Sequence, residues 1–282
     1  ATRFLALHTV NDKSTDEFVQ WAHHWSEKSL TALATAPAVY STKVAGLKKF
    51  KVLSKTLVSE ENSTFKIVLK PSSKQKYKSG DLLAIYPAGD QRERFYSIGK
   101  NTNAIQLVVK LYPNGLGSSY LYQLNHGDVL NARLMSNPNF HFPTKASEVI
   151  MIANGTGIAP FLGMIMENHQ QIPVSLYAGF RFNNELTKNY QDFAATAIAQ
   201  KHLNKFDIAF SREENPQYVM DLIRRDALQI VQLLANNGII MICGSLAMQR
   251  DVELVLEELS LTKNNTLLSF YKENKQILSD CY

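Results

Sequence analysis

The sequence predicts two domains in series, an antiparallel β-barrel followed by an α/β unit built on a doubly wound parallel sheet. Three observations carry this expectation. The chain has 282 residues, 45% of them hydrophobic, which can fill one large or two moderate cores, and two is the favoured number at this length. From Leu47 to about Phe142, short strand-like runs follow one another at close spacing, the pattern of an antiparallel barrel or sandwich. Beyond that point short apolar strands alternate with helical stretches, which implies parallel strands with helices packed on both faces.

Taken in order, the chain opens on a short apolar run, FLALHTV, followed by STDEFVQWAHHWSEKSL. Ser14 and Glu17 make a capping box, and Phe18, Trp21, Ala22 and Trp25 fall on one side at helical spacing, so an amphipathic helix is expected there. His23 and His24 are adjacent and cannot share a helix face, so they read as surface residues rather than metal ligands, and no metal site is expected. The small-residue stretch TALATAPAVYST reads as a linker. The barrel strands are KKFKVLSKTLVS, TFKIVLK, DLLAIYP, RFYSIG and AIQLVVKLY, separated by turn-forming stretches such as PSSKQKYKSGD and KNTN. In the second half EVIMIANGTG, PVSLYAGFR, KFDIAFSR and GIIMICGS read as strands, with APFLGMIMENH, TKNYQDFAATAIAQ and VMDLIRRDALQIVQLLA as the helices between them. The expected boundaries are residues 1–44 for the opening strand, helix and linker, 45–144 for the barrel and 145–282 for the α/β domain.

Composition narrows the function. A formal charge of +5 is mildly basic and fits an anionic cofactor, an acidic partner or a plainly solvated surface. There is no Lys/Arg run and no basic stripe interleaved with aromatics, so nucleic acid is not an expected partner. Cys243 and Cys281 form neither a disulfide framework nor a metal spacing, and a reduced, cytoplasmic setting is the default. No apolar run approaches the roughly 20 residues of a membrane span, and no signal peptide is visible, so a soluble chain is expected. The chain begins without methionine, and the expectation is that it is a piece of something longer.

The motifs lie where ligands would bind. RERFYSIG spans Arg92 to Gly99; as a strand it puts Arg94 and Tyr96 on one face and Phe95 and Ser97 on the other. An arginine and a tyrosine projecting together suit a ligand with a negative group at one end and a flat ring at the other, as in a flavin dinucleotide. The plain alternative is an edge strand with a solvated arginine and a core aromatic. Gly155, Thr156 and Gly157 follow the strand VIMIA, and Ala159 and Pro160 open the next helix. Glycines at that junction let backbone approach a pyrophosphate at a helix N-terminus, although a tight turn alone would also use them. In NGLGSSYL, Gly115, Gly117, Ser118 and Ser119 precede a short apolar helix-like stretch, so this is an anion cradle or a flexible hairpin loop. Two phosphate-type loops in two differently built domains point to two nucleotides.

On these residues the chain resembles the ferredoxin-NADP reductase superfamily over nearly its whole length, and most closely the reductase half of diflavin enzymes such as the sulfite reductase flavoprotein and NADPH-haemoprotein reductases. Arg94-Phe95-Tyr96-Ser97 matches the family's Arg-x-Tyr-Ser signature, and YKSGDLLAIYP the strand that precedes it. The resemblance implies that Tyr96 packs on the isoalloxazine of FAD, Arg94 holds its pyrophosphate, and the Ser97 hydroxyl lies near flavin N5. Gly115, Leu116, Gly117 and Ser118 match the loop that cradles the FAD phosphates, Tyr112 looks like the tyrosine that meets the FAD further along, and Phe95 and Val108 join the same FAD-binding set. In the second domain ANGTGIAPF, with Gly155, Thr156 and Gly157, resembles the loop for the NADP pyrophosphate. Ser211 and Arg212 match the pair that grips the 2'-phosphate, a task suited to a planar guanidinium. Tyr218 matches a further 2'-phosphate ligand, Cys243 and Gly244 lie beside the nicotinamide, and Asp251 matches a residue that touches the cofactor. Pro216 and Met220 stand where relatives often carry lysine and glutamine, which weakens the expected preference for NADPH and leaves NADH open.

The chain ends in SDCY. By the resemblance Asp280 joins Ser97 and Cys243 around the reacting carbons, and Tyr282 covers the flavin until nicotinamide displaces it. The four form the expected catalytic set, with Cys243 shaping the pocket rather than acting as a nucleophile; Cys281 adjoins the site, and an oxidative Cys243–Cys281 pairing is a testable option. The implied activity is hydride transfer from NADPH to FAD N5, then single-electron transfer to an FMN or flavodoxin-like domain or another carrier. FLALHTVNDKSTDEFVQWAHHW resembles the last strand and helix of such an FMN domain, so FMN is expected only in an upstream domain outside this chain. The helical connecting insertion of the large diflavin enzymes is absent between IYPAGDQ and RERFYS. The Trp21/Trp25 face would then seek cover against the reductase or in a homodimer. The alternatives are an FAD-binding scaffold without catalysis and a free-standing flavodoxin or ferredoxin reductase. The terminal acceptor, and any membrane attachment through segments outside this sequence, stay open.

Overall fold

The computed structural model describes residues 15–31, 44–58, 63–87 and 92–282. FLALHTV, Ser14 of the capping box and most of the TALATAPAVYST linker lie outside the described residues. The opening helix α1 (Thr15–Ser29) is formed, with Ala22 buried and the Phe18 and Trp21 rings stacked at 5.9 Å. His23 and His24 are both exposed.

The barrel consists of β1 (Lys48–Lys55), β2 (Thr64–Pro71), β3 (Leu82–Ile85), β4 (Arg94–Ser97), β5 (Gly99–Asn101), β6 (Ala104–Lys110) and β7 (Val129–Met135). They make one antiparallel sheet in the order β4-β3-β7-β1-β2-β6-β5, curled until nearly closed. Strand alternation fills it: Phe50 and Val52 point inward while Lys49 and Lys51 face water, and Phe65, Ile67 and Leu69 of β2 meet them in the core. Helix α2 (Leu116–Gln123) closes one end, with Leu121 buried in that core. Strand β7 was not among the strands read from the sequence. Asn131 and Arg133 interrupt its apolar pattern, yet Leu130 and Ala132 alternate with them into the core, the signature of a half-buried strand.

A turn at Pro138–Phe140 leads into the second domain, with Phe140 buried against Phe161. There β8 (Val149–Asn154), α3 (Ile158–Met166), β9 (Val174–Phe180), α4 (Glu185–Ala199), β10 (Lys205–Phe210), α5 (Val219–Arg225), α6 (Ala227–Ala235), β11 (Ile239–Gly244), α7 (Leu246–Asn264), α8 (Leu268–Glu273) and β12 (Ile277–Cys281) follow in turn. The strands form a parallel sheet ordered β10-β9-β8-β11-β12, so the chain reverses direction between β8 and β11. Along β8 the side chains alternate between two cores. Val149, Met151 and Ala153 pack with α3 and α4 on one face, and Ile150 and Ile152 pack with α5, α6 and α7 on the other.

Two expectations need correction. VMDLIRRDALQIVQLLA is not one helix: it breaks at Asp226, where φ is −101° and ψ is 26°. The Asp226 carboxylate there is hydrogen-bonded to Tyr177 and Lys205 instead of facing solvent along a continuous helix. The proposed Cys243–Cys281 pairing is also disfavoured. Cys243 is in register with Asp280, and Cys281 with Gly244, so the two thiols sit on opposite faces of the sheet. Cys243 belongs to the α3/α4 core and Cys281 packs on the other, and both are free.

The domains meet along β5, β6 and α3. Val108, on the outward face of β6, joins the α3-side core of the second domain, and Lys100 pairs with Glu167 at 3.0 Å across the junction. No helix among the described residues is long and apolar enough to cross a membrane.

Candidate functional site

A cavity of about 920 Å³ opens between the barrel and the carboxyl ends of the parallel strands, at the topological switch point where open α/β sheets bind ligands. Strand β4 is an end strand of the barrel sheet, paired on one side only with β3. Arg94, Phe95 and Tyr96 all line the cavity, Phe95 with 48% of its surface exposed. Burial pushes the Tyr96 phenol up to about 12, with the Arg94 charge opposing the shift, so the phenol stays protonated.

Helix α2 packs its N-terminus straight onto these two residues. A side chain on Gly117 would bring a carbon within 2.8 Å of both Arg94 Cγ and the Tyr96 hydroxyl oxygen, so only glycine permits the approach. The loop is held in shape by Ser118, whose hydroxyl accepts from the Tyr112 N–H at 3.2 Å and donates to the Gly115 carbonyl at 3.2 Å. Gly115, Leu116, Gly117 and Ser118 line the cavity, as do Val108 and Tyr112, the latter with the Lys110 ammonium 5.1 Å from its ring centroid. The glycine loop therefore runs into a helix start packed on Arg94 and Tyr96 and is not a hairpin tip.

On the opposite wall, Gly155–Gly157 form a 3-10 turn between β8 and α3. Gly157 lies against β11: a side chain there would come within 2.1 Å of the Cys243 carbonyl oxygen. Gly155 and Thr156 line the cavity and Gly157 does not, its place being behind the turn. The Thr156 hydroxyl is 2.6 Å from the Tyr282 hydroxyl. Tyr282 is itself fixed through its backbone, donating to the Gly244 carbonyl at 3.0 Å and accepting from the Leu246 N–H at 3.3 Å. Its ring lines the cavity with 61% of the residue's surface exposed.

Ser97, Cys243 and Asp280 come together behind this wall. Ser97 ends β4 in one domain, Asp280 lies on β12 in the other, and the Ser97 hydroxyl donates to the Asp280 carboxylate at 2.6 Å. Cys243 is in register with Asp280 on the neighbouring strand. Burial raises the Asp280 carboxyl above its ordinary value, the Ser97 bond working against the shift. Burial, reinforced by the Asp280 charge, pushes the Cys243 thiol well up, so it is a thiol and not a thiolate nucleophile.

Of the residues expected to meet the second nucleotide, Ser211, Tyr218 and Asp251 line the cavity. Arg212 does not: it lies exposed in the turn after β10, with its N–H bonded to the Arg181 carbonyl. Arg181, at the carboxyl end of β9, lines the cavity in its stead. Gly244 has a φ of +149° that turns the chain away from β11, leaving its amide neighbour Ser245 bonded to Asn154 Oδ1 at 2.9 Å. Sequence reasoning missed Asn154, Arg181, Gln217 and Met248 on the walls. Asn154 and Arg181 stand directly at strand ends, a signal that the parallel-sheet rule already carried.

Comparisons with known proteins match the two domains in turn. Residues 49–135 match the family model for an oxidoreductase FAD-binding domain and residues 151–254 that for an oxidoreductase NAD-binding domain. The chain is 32% identical to the sulfite reductase (NADPH) flavoprotein alpha-component of Baumannia cicadellinicola subsp. Homalodisca coagulata over 51% of its own length and 25% of that protein's. It is 29% identical to NADPH oxidoreductase A of Dictyostelium discoideum, over 65% of this chain and 31% of the relative. The chain thus spans about a third or less of either relative. Ferredoxin-NADP+ reductase from Plasmodium falciparum has the same fold, with a TM-score of 0.67 at 20% identity, covering 84% of this chain and 96% of that one. With both domains matched in the order the structure builds them, the chain is an FAD- and NAD(P)-binding oxidoreductase with the fold of ferredoxin-NADP+ reductase.

Proposed function

We propose that this chain is the reductase module of a larger electron-transfer protein, taking a hydride from NADPH onto FAD and passing electrons singly to an FMN or flavodoxin-like partner domain. The observation that carries the reading is the meeting of Ser97, Cys243 and Asp280, drawn from both domains, behind a cavity that both phosphate-type loops enter. Residues 45–144 would hold FAD and residues 145–282 the nicotinamide nucleotide. The residues fit these groups: the Gly117 approach leaves a cradle that any side chain would fill, beside an arginine and a protonated tyrosine.

In this reading the Arg94 guanidinium and the first N–H groups of α2 neutralise a pyrophosphate, with Tyr96 as a flat wall for the flavin ring. Bound FAD supplies a two-electron acceptor that can release electrons one at a time. Ser97 holds its hydroxyl at the reacting edge and Asp280, fixed by Ser97, offsets the positive charge that develops on the nicotinamide. Cys243 would back the space for the nicotinamide, which Tyr282, lining the cavity, would have to yield. Thr156 and the backbone of Gly155 would receive the nucleotide's pyrophosphate, and Ser211, Tyr218 and Arg181, which line the far wall, would take its 2'-phosphate. The Plasmodium enzyme of the same fold has been solved with 2'P-AMP, which supports an NADP-type nucleotide as the second ligand. Pro216 and Met220 supply no charge there, which favours measurable use of NADH as well.

The test is anaerobic mixing of the FAD-loaded protein with NADPH or NADH. Rapid flavin bleaching, faster with NADPH at matched concentrations, supports the reading; flavin that stays oxidised with both nucleotides overturns it in favour of a binding scaffold.

A further inference from the structure

Three elements build the wall assigned to the adenosine 2'-phosphate: the end of β9, the end of β10 and the start of α5, through Arg181, Ser211 and Tyr218. The same three elements are tied together again farther from the cavity by a compact ionic network. The Tyr177 hydroxyl of β9 donates to Asp226 Oδ2 at 2.7 Å. Lys205 of β10 bonds the same carboxylate oxygen and lies 3.1 Å from Asp207. Arg225, the last residue of α5, bridges Asp207 and Asp226, the latter at 2.8 Å.

Asp226 is the hub. Its side chain is only 15% exposed, and three donors from three elements converge on it. Bonds to Arg225 first, and then to Lys205 and Tyr177, hold its carboxyl well below the usual range, so it is ionised whenever the protein is folded at neutral pH. Tyr177 is fully buried, which leaves its hydroxyl no water to turn to. Helix α5 has seven residues, a rigid rod of about 10 Å, and Tyr177 precedes Phe180 by about 10 Å of strand. Anchoring one end of the layer therefore fixes the other.

We infer that the Tyr177–Lys205–Asp207–Arg225–Asp226 network is a positioning device for nucleotide specificity, locking α5 against β9 and β10 so that Tyr218, Ser211 and Arg181 are held in register. The inference rests on the proposed function, because it takes the ligand of that wall to be an adenosine 2'-phosphate. None of the five residues lines the cavity, so the effect passes through α5 and the strand ends.

Calorimetric titration of the FAD-loaded full chain with adenosine 2',5'-bisphosphate tests it without requiring hydride transfer. Asp226→Asn is expected to weaken binding about fivefold and Tyr177→Phe about twofold, with Asp226→Glu recovering part of the loss. The flavin reduction rate at saturating NADPH should match wild type, so the change falls on KM and not on kcat. Should Asp226→Asn fail to fold, Tyr177→Phe, which keeps every charge, decides. Variants that melt earlier yet bind the bisphosphate as wild type does would reduce the network to a structural clamp and overturn the inference. A wild-type chain that reduces its flavin with NADPH but ignores the bisphosphate would overturn it while sparing the proposed function; one that does neither ends both.

Discussion

Gly157→Ala puts the contact between the nucleotide loop and β11 under direct test. An added methyl carbon would sit 2.1 Å from the Cys243 carbonyl oxygen, 2.4 Å from its carbon and 2.7 Å from the Gly244 nitrogen. All three are backbone atoms of a central strand, so no side chain can swing away. Restoring 3.0 Å means moving the turn or the strand by roughly 0.9 Å, and overpacking of that kind costs about 2–3 kcal/mol. For a chain of this size that is a fall in Tm of about 5–10 °C. The same shift draws Thr156 from Tyr282 and the cavity wall, so KM for NADPH should rise several-fold in steady-state assays. Gly155→Ala is the control: its methyl meets nothing within 4 Å, and only its φ of +51° is unfavourable, a cost of about 1–2 kcal/mol. A Gly157→Ala protein that melts within a degree of wild type and keeps its KM would refute the close approach.

Ser97→Ala removes the donor to Asp280 and the hydroxyl at the reacting edge; flavin reduction in stopped flow should slow by about 10²-fold with FAD still bound, and an unchanged rate would sink the role given to Ser97. Asp280→Asn separates function from stability. The folded carboxyl is raised by burial, so wild type gives up stability as pH rises through that raised value, whereas asparagine does not. The variant should reduce flavin slowly while its Tm at neutral pH equals or exceeds wild type, and a lower Tm would contradict the reasoning. Asp81 behaves oppositely. Burial alone would raise it, but the Asn137 and Lys78 N–H groups and His141 at 2.7 Å outweigh burial and depress the carboxyl. Its contribution is present above the ordinary value of 3.8 and lost as pH falls below it, so the stability gap between wild type and Asp81→Asn should close in acid melts.

Much of this was legible in the sequence because the two halves use different hydrophobic periods. Strand alternation marked Phe65, Ile67 and Leu69 as a core face, and apolar runs such as VIMIA marked strands buried on both sides. The glycine loops were legible because close backbone approach leaves a residue type behind. Arg181 and Asn154 carried the strand-end signal of the parallel-sheet rule, but a polar residue at a strand end is also an ordinary loop signal, and only three-dimensional convergence singles these two out. The break at Asp226 was hidden for a related reason: the apolar pattern runs on through Ala227 and Leu228, and the partners that pull the carboxylate aside come from Tyr177 and Lys205, distant in sequence. Arg212 was read from its motif alone. It follows β10 as that motif requires, with an exposed side chain that is not among those lining the cavity. Strand β12 was concealed by its position, since its pairing with β11 is invisible in a terminal sequence.

In the proposed reaction a hydride crosses from NADPH to a flavin held between Tyr96 and the Ser97–Asp280 pair. Anaerobic stopped-flow reduction of the FAD-loaded protein, with NADPH deuterated at the transferred position set beside unlabelled NADPH, tests it most directly. Rapid loss of the flavin band is expected, slowed by the label and faster with NADPH than with NADH. A flavin band that persists with both nucleotides, while FAD stays bound, would contradict it.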